Sequence, residues 1–425
     1  MSEKQRIRRV YTRFGEKSLM VLTALVVLFS VAYVAPISLG APPVKNIRIG
    51  VVAPWGDIPD YYGYEEYVRD LYKQIVEPDI NAYLAKLPQS RFTPRIQVEF
   101  IIESAGPECD PAVHLEMVKK FHRMGINLII GGHYTFLAAE SLEYVNTHDM
   151  VMISPTSTGA DLAIPDNLFR LAPDDTWQGK AIAKMLDDKG VTSLVIIHQD
   201  DSWANGILSV IEPLFSGDMD YVPYAVGTSD FSDVIDTAET KLIDNEGDGV
   251  LLLSTDGDKI LVAAEGSDLL SVDWFGSDGT AQNSLIVGNP DALEIAAQVK
   301  LYSTVAAMTP EAQSSSKYLE MKPRFKAFFP DDALNLYTAS EIDAGWLLTI
   351  SVLETQKNIL PSISGNEIVQ VLPDIASRYY GYSGWCELNS AGDRAPLNYE
   401  IWGYDDTGYH YFGMYNTASD TITWI

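Results

Sequence analysis

Histidine, cysteine and the carboxylates are the side chains best suited to metal or nucleophilic chemistry, and in this chain their spacing argues against both. The six histidines (His114, His122, His133, His148, His198 and His410) are scattered, with no pair three or four residues apart, so the ligand pairs that a helix would present to a metal are missing. Cys109 and Cys386 are too far apart in sequence to build a paired-cysteine zinc site or a disulfide scaffold. Two buried thiols are the expectation, and a long-range disulfide would be permitted outside the cell. The acidic doublets Asp174-Asp175, Asp187-Asp188, Asp200-Asp201, Asp331-Asp332 and Asp405-Asp406 lack the alternating ligands and central glycine of a calcium loop. They read as solvated turns and helix starts. No Gly-x-Ser-x-Gly elbow, His-Glu-x-x-His helix or glycine-rich phosphate loop occurs, and Gly131-Gly132 is too short to cradle a pyrophosphate. Neither catalysis, a cofactor nor a metal is expected.

What is left are small polar residues where strands end. Thr135 follows the apolar run ending at Ile130 and opens a helical pattern; free N–H groups and the positive helix end would welcome a carboxylate there, or the hydroxyl would serve as an ordinary cap. The stretch Ser154-Pro-Thr-Ser-Thr158 lies at the carboxyl end of a strand, where open α/β sheets bind ligands. Asp278 also follows a strand and precedes Gly279, a position that suits a turn aspartate as well as a site.

The elements that must position these residues alternate. Short apolar strands at 47–52, 96–102, 127–130 and 150–154 are separated by amphipathic helices at 64–84, 111–124 and 135–147. A second series has strands at 193–198, 221–226, 250–254 and 273–276, with helices at 176–189, 204–215, 231–245 and 259–269. This is how parallel sheets covered on both faces are written. The last third adds a strand at 302–307, helices at 315–328, 340–356 and 366–378, and aromatic hairpin strands at 397–404 and 409–415, whose rings read as packing residues. At 425 residues the chain exceeds what one core usually organises, so two α/β lobes are expected.

Charge separates the N-terminus from the rest. Residues 1–45 hold seven Lys/Arg against Glu3 and Glu16, leaving 23 of the 30 basic and 56 of the 58 acidic residues beyond, a balance of −33. So acidic a surface repels phosphate backbones and excludes nucleic acid as a partner. Residues 18–35 form an uncharged apolar run behind the basic residues 1–17. A transmembrane anchor or a signal segment both fit, with the basic end cytoplasmic and everything after Pro36 outside, 36–45 acting as a spacer.

The motifs Ile129-Ile-Gly-Gly-His-Tyr-Thr135 and Val151-Met-Ile-Ser-Pro-Thr-Ser-Thr158 closely resemble the type I periplasmic-binding family, in particular the branched-chain amino-acid binding proteins of ABC transporters. Cys109-Asp-Pro, Phe169-Arg-Leu-Ala, Ile196–Trp203, Phe275-Gly-Ser-Asp278-Gly and Leu388–Arg394 follow in family order. The resemblance implies two doubly wound lobes joined by three crossovers near Pro173, Met308 and Gly384, with lobe 1 at 46–172 plus 309–382 and lobe 2 at 173–308 plus 383–425. It further implies that Thr135 holds a ligand carboxylate, that Thr156 and Thr158 meet an α-ammonium, and that Asp278 pairs with that ammonium. Trp203 would line the second lobe's wall, Thr255 the side-chain pocket, and Tyr61 or Tyr62 the first lobe's aromatic contact. Two departures stand out: Tyr134 replaces the partner of the Cys109-position cysteine, and Ser254-Thr255-Asp256 makes the pocket more polar. The function implied is an extracytoplasmic solute-binding protein, working with an ABC permease and binding an amino acid. A receptor for an amide, urea or other small solute, or a membrane-anchored sensor or surface scaffold, are the alternatives.

Overall fold

The computed structural model describes residues 44–54, 64–87, 95–107, 109–242, 247–330, 332–355 and 363–425. The chain divides into two units, residues 1–45 with 87–95 and residues 46–86 with 96–425. Of the first, only the ends of two strands and one turn residue are described; the second carries everything below. The apolar run 18–35, the spacer, and Tyr61 and Tyr62 lie outside the described residues, among which no helix is long and apolar enough to cross a membrane.

The first sheet holds β1 (Val44–Ala53), β2 (Arg95–Ser104), β3 (Leu128–Ile130), β4 (Val151–Ser154) and β5 (Leu168–Arg170) in the order β2-β1-β3-β4-β5. β1, β3, β4 and β5 run parallel, with Gly50 opposite Ile129 and Ile130 opposite Ile153. β3 and β4 are buried at every position, as a parallel strand covered on both faces must be. The covering helices are α1 (64–84, with a π-helical turn at Leu71–Val76), α2 (Pro111–Arg123) and α3 (Thr135–Thr147). α2 starts at a true cap: the Asp110 carboxylate accepts from the Ala112 nitrogen at 2.8 Å, and Pro111 occupies the first helical position.

After β5 the chain crosses to α4 (Asp175–Lys189) and builds a second sheet from β6 (Ser193–Gln199), β7 (Asp218–Tyr224), β8 (Asp248–Leu253), β9 (Asp273–Gly276) and β10 (Tyr302–Ala306). The intervening helices are α5 (Ser202–Ile211), α6 (Ser232–Glu239), α7 (Gly257–Ala263), α8 (Ser284–Gly288) and α9 (Pro290–Gln298). α4 ends where Gly190 turns left-handed at φ 73°, the conformation that terminates helices cheaply only at glycine. The chain then returns through α10 (Pro310–Gln313) to α11 (Ser316–Phe328), α12 (Leu336–Thr355) and α13 (Gly365–Ser377), of which α12 packs on β3 and α13 on β4 of the first sheet. A last crossing delivers β11 (Tyr399–Asp405), β12 (Gly408–Asn416) and β13 (Thr421–Trp424), an antiparallel meander hydrogen-bonded to β10, which completes the order β13-β12-β11-β10-β9-β8-β6-β7.

Two parallel-sheet α/β lobes are therefore present. Some boundaries differ from the sequence expectation. β5 and β13, three and four residues long, are too short to show a period. α6 and α7 stop at Glu239 and Ala263, and α12 begins a turn early at Leu336 because the Asn335 side chain accepts the Thr338 N–H at 3.0 Å, as a helix cap does. Cys109 and Cys386 are both buried free thiols.

One buried ion pair and two further hydrogen-bonded buried charges knit the crossings together. Arg170 donates to the Asp393 carboxylate at 2.5 Å and to the Gly159 carbonyl at 2.6 Å. Arg394 donates to the Leu171 and Ser383 carbonyls and the Trp385 carbonyl. The Asp343 carboxylate accepts from the Tyr379 hydroxyl, the Tyr382 and Ser383 nitrogens and the Ser383 hydroxyl. Charges buried this deeply persist only when paired or hydrogen-bonded, so the three strands of crossing chain hold one geometry.

Candidate ligand-binding cleft

The first-lobe wall is made by the loops that follow β3 and β4. Tyr134 occupies the cap position of α3 without a side-chain bond to its first turn, which leaves the helix's leading N–H groups unmatched by a cap. Thr135 is buried, and its hydroxyl oxygen accepts from the Gly159 nitrogen at 3.1 Å and from the Ser157 hydroxyl at 3.4 Å. Thr156 donates to the His133 carbonyl at 2.6 Å, and Ser154 donates to the Gly132 carbonyl at 2.8 Å. The two loops are thus stitched to each other. Gly159 makes that possible: a Cβ there would stand 2.3 Å from the Thr135 methyl, well inside contact distance. The Thr158 carbonyl accepts from the Asp175 nitrogen at 2.8 Å, carrying the first wall directly onto the second lobe.

The second-lobe wall starts at α4. Asp174 caps the helix through the Thr176 nitrogen, whereas Asp175 is wholly buried and neither of its carboxylate oxygens has a hydrogen-bond partner. Burial and the neighbouring Asp278 drive the Asp175 carboxyl well above the usual carboxylate range, with the Arg170 charge easing it. This doublet is not the solvated helix start that its sequence suggests. Asp278 lies in the turn after β9; its Oδ2 accepts from the Tyr337 hydroxyl at 2.8 Å, while Oδ1 is buried without a partner. Burial pushes this carboxyl up as well, against the hydrogen bond from Tyr337. Gln178 commits its amide to the Thr304 carbonyl and hydroxyl, at 2.9 and 3.2 Å.

Trp203, in the first turn of α5, is 8% exposed and belongs to the second lobe's core, with its ring edge reaching the Asp278 turn. A Cβ at Gly279 would meet that ring at 3.1 Å and the Ser254 carbonyl at 2.4 Å, so the turn can approach β8 only as glycine. Thr255 donates to Gln199, which in turn donates to the Asp201 carboxylate that caps α5. Thr135, Thr156 and Thr158 thus lie on the first-lobe wall, and Trp203, Thr255 and the Asp278 turn on the second.

Three residues of this constellation escaped the sequence reading: Asp175, Gln178 and Tyr337. Asp175 and Gln178 are three residues apart on a helix, hence on one face, and that spacing after an acidic doublet was the available signal. Tyr337 gives none, because its partner is 59 residues away. Among the described residues no group of three His, Cys, Asp or Glu is placed to hold a metal ion.

Chemically, the cleft sets hydroxyls and uncapped helix N–H groups on one side against two desolvated carboxylates on the other. Such an arrangement can grip a solute that is acidic or polar at one end and cationic at the other.

Comparison with known proteins identifies the fold and the family. The fold is similar to the leucine-binding protein LivK of Thermotoga maritima, with a TM-score of 0.68 at 16% identity over 88% of this chain and 99% of that one. It is also similar to the branched-chain amino acid substrate-binding protein LivJ of Streptococcus pneumoniae in complex with isoleucine (0.67, 17%, 86% and 98%), and to a solute-binding protein of R. palustris in complex with benzoate (0.66, 12%, 87% and 96%). In sequence the chain is 26% identical over 401 residues to an uncharacterised protein of Methanocaldococcus jannaschii, covering 89% of this chain and 91% of the other. The family model described as receptor family ligand binding region matches residues 76–407. With most of its length matched and both lobes in place, the chain belongs to that receptor ligand-binding family, whose fold is the type I periplasmic-binding one.

Proposed function

We propose that this chain is an extracytoplasmic solute-binding protein of an ABC-type importer, and that it closes its two lobes on an amino acid. The observation that carries the reading is the trio of buried, unpartnered carboxylate oxygens, two on Asp175 and one on Asp278. An unpaired buried carboxylate is costly, and an ammonium group offers three N–H donors and a compensating charge. Thr135, with the leading N–H groups of α3, would take the ligand's carboxylate. Thr156 and Thr158 would stand beside the ammonium, and Trp203 and Thr255 would border its side chain. Tyr61 and Tyr62 are the candidates for the remaining aromatic contact.

The moving bodies would be residues 46–172 with 309–382 and residues 173–308 with 383–425, turning about the three crossings as hinge-closing receptors do. Residues 18–35 would carry the binding region across the membrane and either hold it there or be removed, and a permease would receive the solute. A thermal-shift screen of the full chain against the twenty amino acids, small amides, urea and benzoate tests the reading, because a ligand that binds only the folded form raises its melting temperature. Stabilisation by one or more amino acids supports it. Stabilisation by benzoate or amides alone would overturn it.

A neutral amide or urea is the second reading. It draws on the same burial, which raises both carboxyls: a protonated carboxyl donates to a carbonyl oxygen, and no ammonium is then needed.

A further inference from the structure

We propose that Tyr337 is the latch of the cleft: its hydroxyl crosses from the first lobe to Oδ2 of Asp278 on the second, so that lobe closure and presentation of Oδ1 to a ligand are one event. The second half of this statement rests on the reading that the cleft binds an amine; the first half does not.

Both ends of the bond are rigid within their own lobes. Tyr337 lies in the first turn of α12, which is pinned to the first lobe by Glu341. The Glu341 carboxylate and carbonyl accept from the Tyr72 hydroxyl at 3.0 Å, and its carboxylate lies 3.0 Å from the His133 ring nitrogen. Thr338, the next residue, meets the Tyr67 hydroxyl at 3.4 Å. Asp278 sits in a turn held at three points: Gly279 packed beneath the Ser254 carbonyl, Thr280 bonded to Ser303 at 2.7 Å, and the Tyr404 hydroxyl donating to the Thr280 carbonyl at 2.5 Å. Neither residue can follow the other if the lobes part. The 2.8 Å bond between them therefore exists only when the walls meet, and a bond confined to one state shifts the population toward it.

The same contact at the rim supports closure as the state in which the bond forms. A Cβ at Gly206 of α5 would stand 3.7 Å from the Ala160 nitrogen of the first lobe. Tyr337 also acts on charge. Its hydroxyl is held in the protonated form by burial and by Asp278, so it has a proton to donate to Oδ2, and that donation favours the ionised carboxylate. The other groups that bear on Asp278 are Asp175 and Gln178 of α4, Tyr399 of β11 and Tyr134 of the α3 cap. None of these is cationic. Among side chains, Tyr337 is the one that donates a hydrogen bond to Asp278 and so favours its ionised form, with the Asp278 and Gly279 backbone N–H groups acting in the same direction.

Hydrogen exchange read by mass spectrometry on the full chain in detergent micelles separates the two halves of the proposal. With no solute added, Tyr337→Phe is expected to exchange about tenfold faster than the parent in peptides 156–163 and 202–210, which meet across the rim, since one bond to a charged acceptor is lost from the closed state alone. Peptides of the core strand 193–199 serve as the internal control and keep the parent's rate. Asp278→Ala removes the bond from its other end and should give the same acceleration, and the double variant no more than either single one. Parent-like rim exchange in Tyr337→Phe, or additive effects in the double variant, would overturn the latch.

L-Leucine is the probe for the second half. Its binding by Tyr337→Phe should fail at a higher pH than in the parent, because Asp278 then takes up its proton more readily, whereas a purely packing role would leave the acid limb in place. An unmoved acid limb overturns the presentation of Oδ1. If L-leucine does not bind the parent at all, that particular amino acid drops out of the functional reading while the solute-free exchange comparison still decides the latch.

Discussion

On the first-lobe wall the hydroxyls are already engaged within the lobe: Thr135 with Gly159 and Ser157, Thr156 with His133, Ser154 with Gly132. On the second-lobe wall three carboxylate oxygens of Asp175 and Asp278 have no hydrogen bond. The first wall is complete before anything arrives, and what it offers a solute is chiefly backbone N–H at the head of α3. The second wall is incomplete and carries a charge that burial makes costly. On the function proposed above, one wall would fix position and the other would select charge, so the two should respond differently to substitution.

The largest effect is expected at Asp278. Replacing it with Asn keeps shape and hydrogen-bonding capacity but removes the charge, and a half-made buried ion pair costs on the order of 2–5 kcal/mol. Calorimetry with a bound amino acid should show affinity reduced by more than about tenfold; parent-like affinity would reverse the assignment of charge selection to this wall. Asp175→Asn sharpens the comparison because its two consequences have opposite signs. Removing a buried, unpaired carboxylate should raise the stability of the solute-free protein by on the order of 1–3 kcal/mol while weakening amine binding. A variant both less stable and weaker in binding would show that Asp175 supports structure and not the ligand.

Thr135→Ala tests the finished wall. It leaves the Gly159 N–H without its acceptor and should cost on the order of 1–3 kcal/mol of binding, less than Asp278→Asn, because neighbouring backbone N–H groups still hold a carboxylate. Should Thr135→Ala prove the more damaging of the two, the division of labour between the walls is the reverse of the one drawn here.

The smallest effect is a slope against pH. Burial raises both carboxyls above their ordinary range, so the folded protein binds these protons more tightly than the unfolded chain does. Stability from this pair is therefore highest at or below the ordinary carboxylate range and declines as pH rises through the raised values. Affinity for an amine runs the other way and improves over the same interval. Melting curves across mildly acidic to neutral pH should show the decline, and Asp175→Asn should flatten it. An unchanged slope in that variant would assign it to the general acidity of the surface.

How much of this was readable in sequence differs between fold and site. α3, whose bounds of Thr135–Thr147 match the expected helix, follows from an apolar strand and from the helix formers Leu137, Ala138, Ala139, Glu140, Leu142 and Glu143. β9 likewise lies at the expected 273–276. The order of the second sheet was not readable, because β8 stands between β6 and β9 while β7 sits outside them at the edge, an arrangement decided by long-range packing. In the site, Asp278 and the Thr156–Thr158 loop were located through motif order. Asp175 was passed over because a doublet at a helix start is ordinarily one cap and one solvated residue, and only the tertiary setting turns Asp175 inward. The apolar run 18–35 and the pair Tyr61 and Tyr62 fall outside the described residues.

The three crossings also govern the order in which the chain can finish folding. Two of the helices that cover β3 and β4 come from residues 336–377, and the second sheet gains β11–β13 only after residue 398. Neither lobe is a continuous stretch that a ribosome could release complete before the other. As synthesis proceeds, the first sheet waits with one flank uncovered for some two hundred residues, its apolar strands exposed to whatever holds nascent chains. Both lobes should then acquire protection late and together, which makes the C-terminal third the last-synthesised requirement for each.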